Sequence, residues 1–535
     1  MYDYIIVGAG SAGCVLAARL SEDPDVSVLV LEAGGPDSLD SIHVPVAFGQ
    51  LFKTACDWDY SSQPEPMCNG RRIYLPRGKT LGGCSSCNAM VYIRGHRVDY
   101  DEWRDAGNPG WGYDDILPYF LRAEDNERGA SEHHGTGGPL SVCDGRSRNV
   151  MMAAFVEAAL GAGLARNDDF NGAEQDGAGY YQVTQRGGRR CSAAIAYLHP
   201  AAQRPNVTVE TYVQVHRVLI EGGRAVGVGG ARLGETLEFR AGREVILCGG
   251  AYNSPQLLML SGVGPGAVLS ALQIPVISDL PGVGRNLQDH PLCGAVWSTP
   301  EPVSLLTAAT AENLQAFLEN GTGPLTSNIA EAGAFHRTRS GMPAPDIQLL
   351  AAPVMYLEEG LTPPPGHGFT IVTCVLKPSS RGDVTIASAD PTAKPVIRHN
   401  YFTTDEDMRS MSDGLRLLVE IGGRPELGRF NQTAYQVPES LSDRDVQSFL
   451  ARNTLTNYHP AGTCRMGSDA AAVVGSDLRV HGVEGLRVVD ASIMPSIVRG
   501  NTNAPTIAIA EKAADLIRGA GAASATGASL AGSSA

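Results

Sequence analysis

Three glycines and an acid near the N-terminus have the types and spacing of a dinucleotide site. Gly8, Gly10 and Gly13 fall in Gly8-Ala-Gly10-Ser-Ala-Gly13, and Glu32 follows at about the distance such a site requires. Gly8 would permit a tight turn, Gly10 would leave room for a pyrophosphate, and Gly13 would let a helix pack close to a sheet. A helix starting there presents free N–H groups and partial positive charge to phosphates. Glu32 could accept both hydroxyls of a ribose. A second candidate is His459, in Asn457-Tyr-His-Pro-Ala-Gly-Thr-Cys-Arg-Met-Gly467. A histidine followed by proline and glycine is expected in a loop, able to face a cavity. Imidazole is also the side chain best suited to take a proton near neutral pH. The chain has 12 histidines, so a merely satisfied polar residue is the bland alternative.

These residues need elements to hold them. Tyr2–Val7 is a short apolar run that leads straight into the glycines. Cys14–Leu20 continues as a helix, and Val26–Leu31 is a second apolar run ending at Glu32. The order is strand, glycine turn, helix, strand, acid, which is a βαβ unit with a phosphate turn. No second unit of this kind is found. Gly161-Ala-Gly163 lacks a preceding strand and a third glycine, and Gly262-Val-Gly264 runs into proline. One nucleotide site argues against a flavin and a nicotinamide together. A bound flavin would then have to draw its electrons from an organic substrate.

At 535 residues the chain has room for two or more domains. A net charge of −15 argues against a nucleic-acid partner, which needs a basic footprint. No apolar run is long enough for a membrane span. The first strand begins at Tyr2, leaving no room for a leader, so a cytoplasmic location is expected, with peripheral contact to a membrane left open. Eleven scattered cysteines point to reduced, mostly buried thiols. Cys84 and Cys87 form a lone CxxC without the second ligand pair that a structural zinc needs, so no metal is expected.

Further along, two stretches, Asp99–Trp111 and Tyr113–Arg122, carry helical spacing. Glu124–Gly138 is polar, and His133 and His134 are expected to be solvated there. Met151–Ala162, Met408–Ile421 and Ala504–Ile517 read as helices. Val207–Glu210, Val213–Ile220, Glu235–Phe239, Phe369–Leu376 and Leu486–Asp490 read as strands. Residues 519–535 are an Ala/Gly/Ser tail that cannot bury enough apolar surface to order itself.

Four separated motifs in one order make the chain resemble the glucose-methanol-choline (GMC) oxidoreductases, FAD enzymes that oxidise alcohols. They are Val7–Gly13 with Glu32-Ala-Gly34, Arg77-Gly-Lys-Thr-Leu-Gly-Gly83 through Asn88, Gly249-Gly-Ala-Tyr-Asn-Ser-Pro-Gln-Leu-Leu258, and His459 with Val489-Asp-Ala-Ser-Ile-Met-Pro495 and Asn501-Thr-Asn-Ala-Pro-Thr506. The overall flavour is that of choline-dehydrogenase-like and alcohol-dehydrogenase members. The resemblance implies an α/β fold, with a Rossmann-like FAD domain from residues 1–145, 185–296 and 455–518. It also implies a substrate domain on an antiparallel sheet from residues 146–184 and 297–454. Gly8, Gly10, Ser11, Ala12 and Gly13 would meet the pyrophosphate, and Glu32 and Ala33 the adenosine ribose. Leu81, Gly82, Asn88, Ala89, Met90 and Val91 would lie along the flavin. Val215 would contact adenine through its backbone. Asp490, Ala491, Asn501, Thr502 and Asn503 would close over the isoalloxazine and ribityl chain. His459 would be the catalytic base, with Asn503 as second catalytic residue holding the alcohol oxygen; the bland alternative for Asn503 is a helix cap.

The activity implied is oxidation of a primary alcohol to an aldehyde, with hydride passing to flavin N5. Electrons would go on to a quinone-like acceptor, or alternatively to dioxygen. Non-redox lyase or photodecarboxylase chemistry on the same fold is the other-class alternative. Some members attach FAD through a histidine where this chain has Cys87, so non-covalent FAD is expected here. Aliphatic, aromatic, polyether, polyol and choline-like alcohols all stay open. Glu331 could attract a cationic substrate, although a solvated or structural carboxylate is the preferred reading.

Overall fold

The computed structural model describes the backbone of residues 1–531 and the side-chain surroundings of residues 1–519. Tyr2–Val7 and Val28–Leu31 pair in parallel, joined by the helix Ser11–Leu20. All four residues of Val28–Leu31 are buried, as a strand covered on both faces requires. Val207–Glu210 adds in parallel on one side and Glu235–Leu247 on the other, and Leu486–Val488 lies beside the end of the latter. Glu235–Leu247 has two characters. Its first part alternates in exposure and closes an antiparallel meander with Gln214–Glu221 and Arg224–Arg232. Its last three residues are fully buried between parallel neighbours.

A second sheet is antiparallel throughout, in the order Thr433–Gln436, Pro291–Ser298, Gly368–Val375, Ile347–Ala352, Ala332–His336, Gly177–Tyr180. The helices Val150–Gly161 and Asp405–Gly422 cover one face, burying Met151, Phe155, Met411, Leu415 and Leu418 against Ala295, Leu349 and Ile371. Each such side chain removed from water contributes about 1.5–3 kcal/mol. The architecture is thus α/β with a second, antiparallel-sheet unit. The boundary expected between residues 296 and 297 cuts Pro291–Ser298, which the structure places whole in the second sheet. Likewise Leu455–Thr456 pairs with that strand, past the boundary expected at 454.

Two other expectations change. The last helix runs Asn503–Ala531, well beyond 518. Alanine propagates an existing helix at little cost; residues 532–535 lie outside the described residues. His134 is buried, not solvated. Its Nδ1 lies 3.1 Å from Glu124 Oε1 and its Nε2 2.8 Å from Asp169 Oδ2, while Arg94 donates to Glu124 at 2.5 Å. Among the described residues no helix is long and apolar enough to cross a membrane.

Burial alone would lower the affinity of His134 for its proton, but hydrogen bonds to Asp169 and Glu124 raise its pKa to about 9. A histidine whose folded pKa exceeds its unfolded value stabilises the fold fully below the unfolded pKa, about 6.5, and that contribution is lost as pH rises through the folded one. The thermal midpoint of the wild type should therefore fall more steeply between about pH 7 and 9.5 than that of His134→Gln. Parallel curves for the two proteins would show that no charge is held there.

Candidate active site

The glycine turn divides into residues with different jobs. Gly8 has φ +102°, and a Cβ there would meet Cys248 O at 2.6 Å; at Gly13 a Cβ would meet Gly8 O at 1.9 Å. At Gly10 the nearest atom to a Cβ is 3.9 Å away, because this position opens onto a cavity. No side chain caps the helix that begins at Ser11. An open cradle, an uncapped helix N-terminus and an acid at the end of the second strand fit an adenine dinucleotide. Glu32 is buried, and its Oε2 and Oε1 accept the N–H groups of Ala9 (2.9 Å) and Gly34 (2.8 Å). Burial raises its pKa to about 6 against the pull of those hydrogen bonds. Replacing Gly10 by valine should remove FAD from the purified protein while leaving the fold intact, as far-ultraviolet circular dichroism would report. Retention of a full complement of FAD would show that the phosphates lie elsewhere.

The cavity, of about 360 Å³, runs from the C-terminal ends of the parallel strands (Val7, Leu31, Cys248) to the second sheet (Leu292, Leu350, Val372). Ser11, Ala12, Ala33 and Val215 line it near the turn; Asn88, Ala89, Met90 and Val91 line it further in, with Asp490, Ala491, Asn501, Thr502, Asn503 and His459. Asp490 is fully engaged, accepting from Gly250 N–H (2.8 Å), the Ser254 hydroxyl (2.6 Å) and Ser492 N–H (2.8 Å). Gly13, Leu81 and Gly82 do not reach the cavity. Gly13 is pressed against Gly8, Leu81 packs into the core of the first sheet, and Gly82 N–H donates to Ala9 O at 2.8 Å. Gly83, Cys84 and Cys87 form the wall instead. Burial pushes the Cys87 thiol up, so it stays protonated and a poor nucleophile.

His459 follows Tyr458, a non-glycine residue at φ +66°. That turn costs about 1–2 kcal/mol and is held by Arg77, whose Nη2 donates to Tyr458 O at 2.7 Å, and by the Tyr458 and Tyr356 hydroxyls 3.0 Å apart. Asp289, also buried, ties the loop down. Its Oδ1 accepts the N–H groups of both His290 (2.9 Å) and His459 (2.8 Å), and its Oδ2 accepts the hydroxyls of Tyr401 (2.6 Å) and Thr456 (2.5 Å). The His459 ring then lies with Nδ1 3.0 Å from His290 Nδ1 and Nε2 3.3 Å from Asn501 Nδ2. Burial, then His290 and Arg77, push its pKa well below the usual histidine value, so it is neutral at pH 7.

The partner of His459 is therefore Asn501, not Asn503. Asn503 begins the last helix and donates to Ser11 Oγ at 2.8 Å. Side chains at a helix start lean back toward its N-terminus, here toward the glycine-turn helix, whereas Asn501 lies in the preceding loop. His290 and Asp289 escaped notice because nothing in their spacing sets them apart from a turn-rich stretch. Glu331 is structural, accepting from Ser327 (2.6 Å), Ser147 (2.7 Å) and Asn149 N–H (3.1 Å).

The N- and C-terminal family models described as GMC oxidoreductase match residues 2–292 and 378–510. An oxygen-dependent choline dehydrogenase of Paraburkholderia xenovorans (strain LB400) is 46% identical over 529 residues, 97% of this chain and 94% of the relative. An alcohol dehydrogenase [acceptor] of Pseudomonas putida is 43% identical over 527 residues, 97% of this chain and 96% of its own. Among solved structures, pyridoxine 4-oxidase from Mesorbium loti superposes with a TM-score of 0.87 at 35% identity, covering 96% of this chain and 99% of that one. A formate oxidase variant of Aspergillus oryzae RIB40, studied for FAD modification, does so with a TM-score of 0.90 at 28% identity, covering 97% and 98%.

Proposed function

The chain belongs to the GMC oxidoreductase family, and from that footing we propose that it oxidises an uncharged primary alcohol to an aldehyde, with His459 as base. FAD is the cofactor, and when bound it supplies the acceptor for the hydride. Gly10, Ser11 and Ala12 would hold its phosphates, Glu32 its ribose, Val215 its adenine side, and Asn88–Val91 with Asp490 and Ala491 its flavin side. The single observation that carries the reading is the pairing of a neutral, buried His459 Nε2 with the Asn501 amide inside that cavity. The two nitrogens are 3.3 Å apart, so an alcohol oxygen beside them on the cavity side, at the apex of the triangle they form, would lie within hydrogen-bond reach of both. There the hydroxyl donates to His459 Nε2 and Asn501 Nδ2 donates to the oxygen. The O–H proton moves to Nε2, and Asn501 keeps the oxygen placed as it becomes a carbonyl. Holding that geometry supplies much of the rate.

The wall of the cavity supports an uncharged substrate. Its charged members are Glu32, Asp57, Arg77 and Asp490. Asp57 is taken by the N–H groups of Lys53, Asp59 and Arg77, and Arg77 by Pro76 O and Tyr458 O; Glu32 and Asp490 are engaged as described. The second sheet presents Leu292, Leu350 and Val372. A quaternary ammonium brought against that apolar face loses hydration where the sheet offers it no carboxylate, at a cost of several kcal/mol. Phe52 and Tyr458, with ring centroids 6.1 Å apart, would return about 0.5–2 kcal/mol through cation–π attraction. That is too little.

Anaerobic titration of the holoenzyme with 1-octanol, benzyl alcohol and choline, followed at the flavin visible band, tests both parts. Bleaching by the uncharged alcohols is expected, with kcat/KM at least about 100-fold above that for choline, a difference near 2.7 kcal/mol. Preference for choline would overturn the uncharged substrate alone. A yellow protein that no alcohol bleaches would overturn alcohol oxidation and favour lyase or photochemical use of the same fold. Slow return of colour in air, and fast return with a soluble quinone, is expected of the quinone-like acceptor that we propose over dioxygen.

A further inference from the structure

Resting on the reading of His459 as base, we propose that a hydrogen-bond chain ending on two backbone carbonyls holds His459 as the tautomer with its proton on Nδ1, and that His290 and Gln348 are positioning residues for it. One end is the carbonyl of Leu376, 3.1 Å from His290 Nε2. A carbonyl can only accept, so Nε2 of His290 carries a proton, and because burial pushes the pKa of His290 down to about 4 the ring is neutral and its Nδ1 is an acceptor. The facing atom, His459 Nδ1 at 3.0 Å, must then donate. That leaves the lone pair of His459 Nε2 on the cavity side, facing the Asn501 amide.

The other end gives the same answer independently. Tyr181 Oη donates to the carbonyl of Leu349 at 2.7 Å, so the group facing its lone pair is a donor, the Gln348 amide nitrogen at 3.1 Å. That nitrogen also lies 3.3 Å from Asn501 Oδ1, which turns the Asn501 amide so that its N–H, not its carbonyl, points at His459 Nε2. The Gln348 oxygen faces the Cys374 thiol at 3.9 Å, consistent with this orientation. Gln348 is thus the source from which donors point both ways. His290, Gln348 and Tyr181 are each buried and lie outside the cavity lining, so their action on substrate passes through His459 and Asn501.

The chain also explains why the abstracted proton stays within the histidine pair. When Nε2 takes the hydroxyl proton, the O–H bond breaks, an N–H bond forms, and the imidazolium keeps donating through Nδ1 to His290. His290 cannot pass its own proton to the Leu376 carbonyl. The route therefore ends at His290: the proton can be shared across the Nδ1–Nδ1 contact but goes no further.

The test begins on the wild-type holoenzyme, with 15N-histidine labelling and the His459 signals assigned by their loss in His459→Gln. Protonated Nδ1 and unprotonated Nε2 are expected at neutral pH, and the reverse pattern overturns the proposal whatever the substrate proves to be. The variants add function. His290→Asn keeps an acceptor oxygen where Nδ1 stood, whereas His290→Leu has none. Flavin reduction at saturating alcohol should fall ten-fold or more in His290→Leu, with KM changed less than two-fold, and recover to within three-fold of wild type in His290→Asn. Equal rates in the two variants, with FAD retained, would also overturn it. Should His290→Leu fail to fold, the nitrogen signals of the wild type still decide. Bleaching of the wild type by alcohols reports separately on the function itself.

Discussion

Replacing His459 by alanine should lower the rate at which a saturating alcohol bleaches the flavin by about 10²–10⁴-fold, with FAD still bound. The drop corresponds to about 3–5 kcal/mol of barrier. It is expected to be large because the imidazole is already neutral, desolvated and held 3.3 Å from the Asn501 amide, with its backbone N–H fixed on Asp289. Water admitted into the space would be a weaker base, placed less well. The pH dependence has a definite sign. The pKa of His459 is pushed well below 6.5, and the protonated ring cannot accept a proton, so the wild-type rate should stay flat from pH 8 down to about 6.5 and fall only in more acid solution. Stopped-flow reduction across that range, in wild type and variant, checks both statements. A rate that rises through neutral pH with an ordinary histidine midpoint would mean that the base is exposed or is another group. A parallel Asn503→Ala variant should lose the contact to Ser11 and weaken FAD retention, leaving reduction of the FAD that remains close to wild type.

Asp289→Ala is expected to be the most disruptive change outside the glycine turn. Four donors converge on this buried carboxylate: the backbone N–H groups of His290 and His459 and the hydroxyls of Tyr401 and Thr456. Alanine leaves the two backbone groups with no partner, and an unsatisfied buried donor costs about 1–3 kcal/mol. The hydroxyls can rotate and lose less. A loss of about 3–5 kcal/mol follows, as for other breaks in a buried polar network. The strained turn at Tyr458 would then relax, since it persists only while its surroundings over-determine it. Thermal unfolding followed by flavin fluorescence should show a lower midpoint, and the FAD that remains should be reduced slowly. Asp289→Asn keeps one acceptor oxygen and should fall between alanine and wild type. An alanine variant that melts and reacts like wild type would show that the loop is held elsewhere.

The first thirty-five residues could be read directly. A turn, the helix that follows it and the acid after the next strand are local, and local order is carried by spacing along the chain. Most helices and strands were legible for the same reason: Val207–Glu210 matches to the residue, and Met408–Ile421 lies within Asp405–Gly422. His459 was legible through its motif, and its place in the cavity agrees with that. Which asparagine serves it was not. Asn501 and Asn503 sit in one short motif, and a choice between them depends on where the last helix starts and which way each side chain leaves the backbone. Leu81 and Gly82 likewise belong to the right loop but stand behind its wall, because Gly82 N–H is tied to the carbonyl of Ala9 and Leu81 packs into the core.

By itself the sequence determined the family, the dinucleotide turn and the candidate for the base, since each is written in contiguous residues whose chemistry survives without a partner. The tertiary structure alone decided the histidine and the asparagine beside it, the carboxylate that anchors its loop and the apolar sheet face across the cavity. The physical reason is distance along the chain. His459 meets Asn501 across 42 positions, His290 across 169 and Asp289 across 170. A hydrogen bond that spans such separations depends on direction to within a few tenths of an ångström, and only the packed sheets supply that.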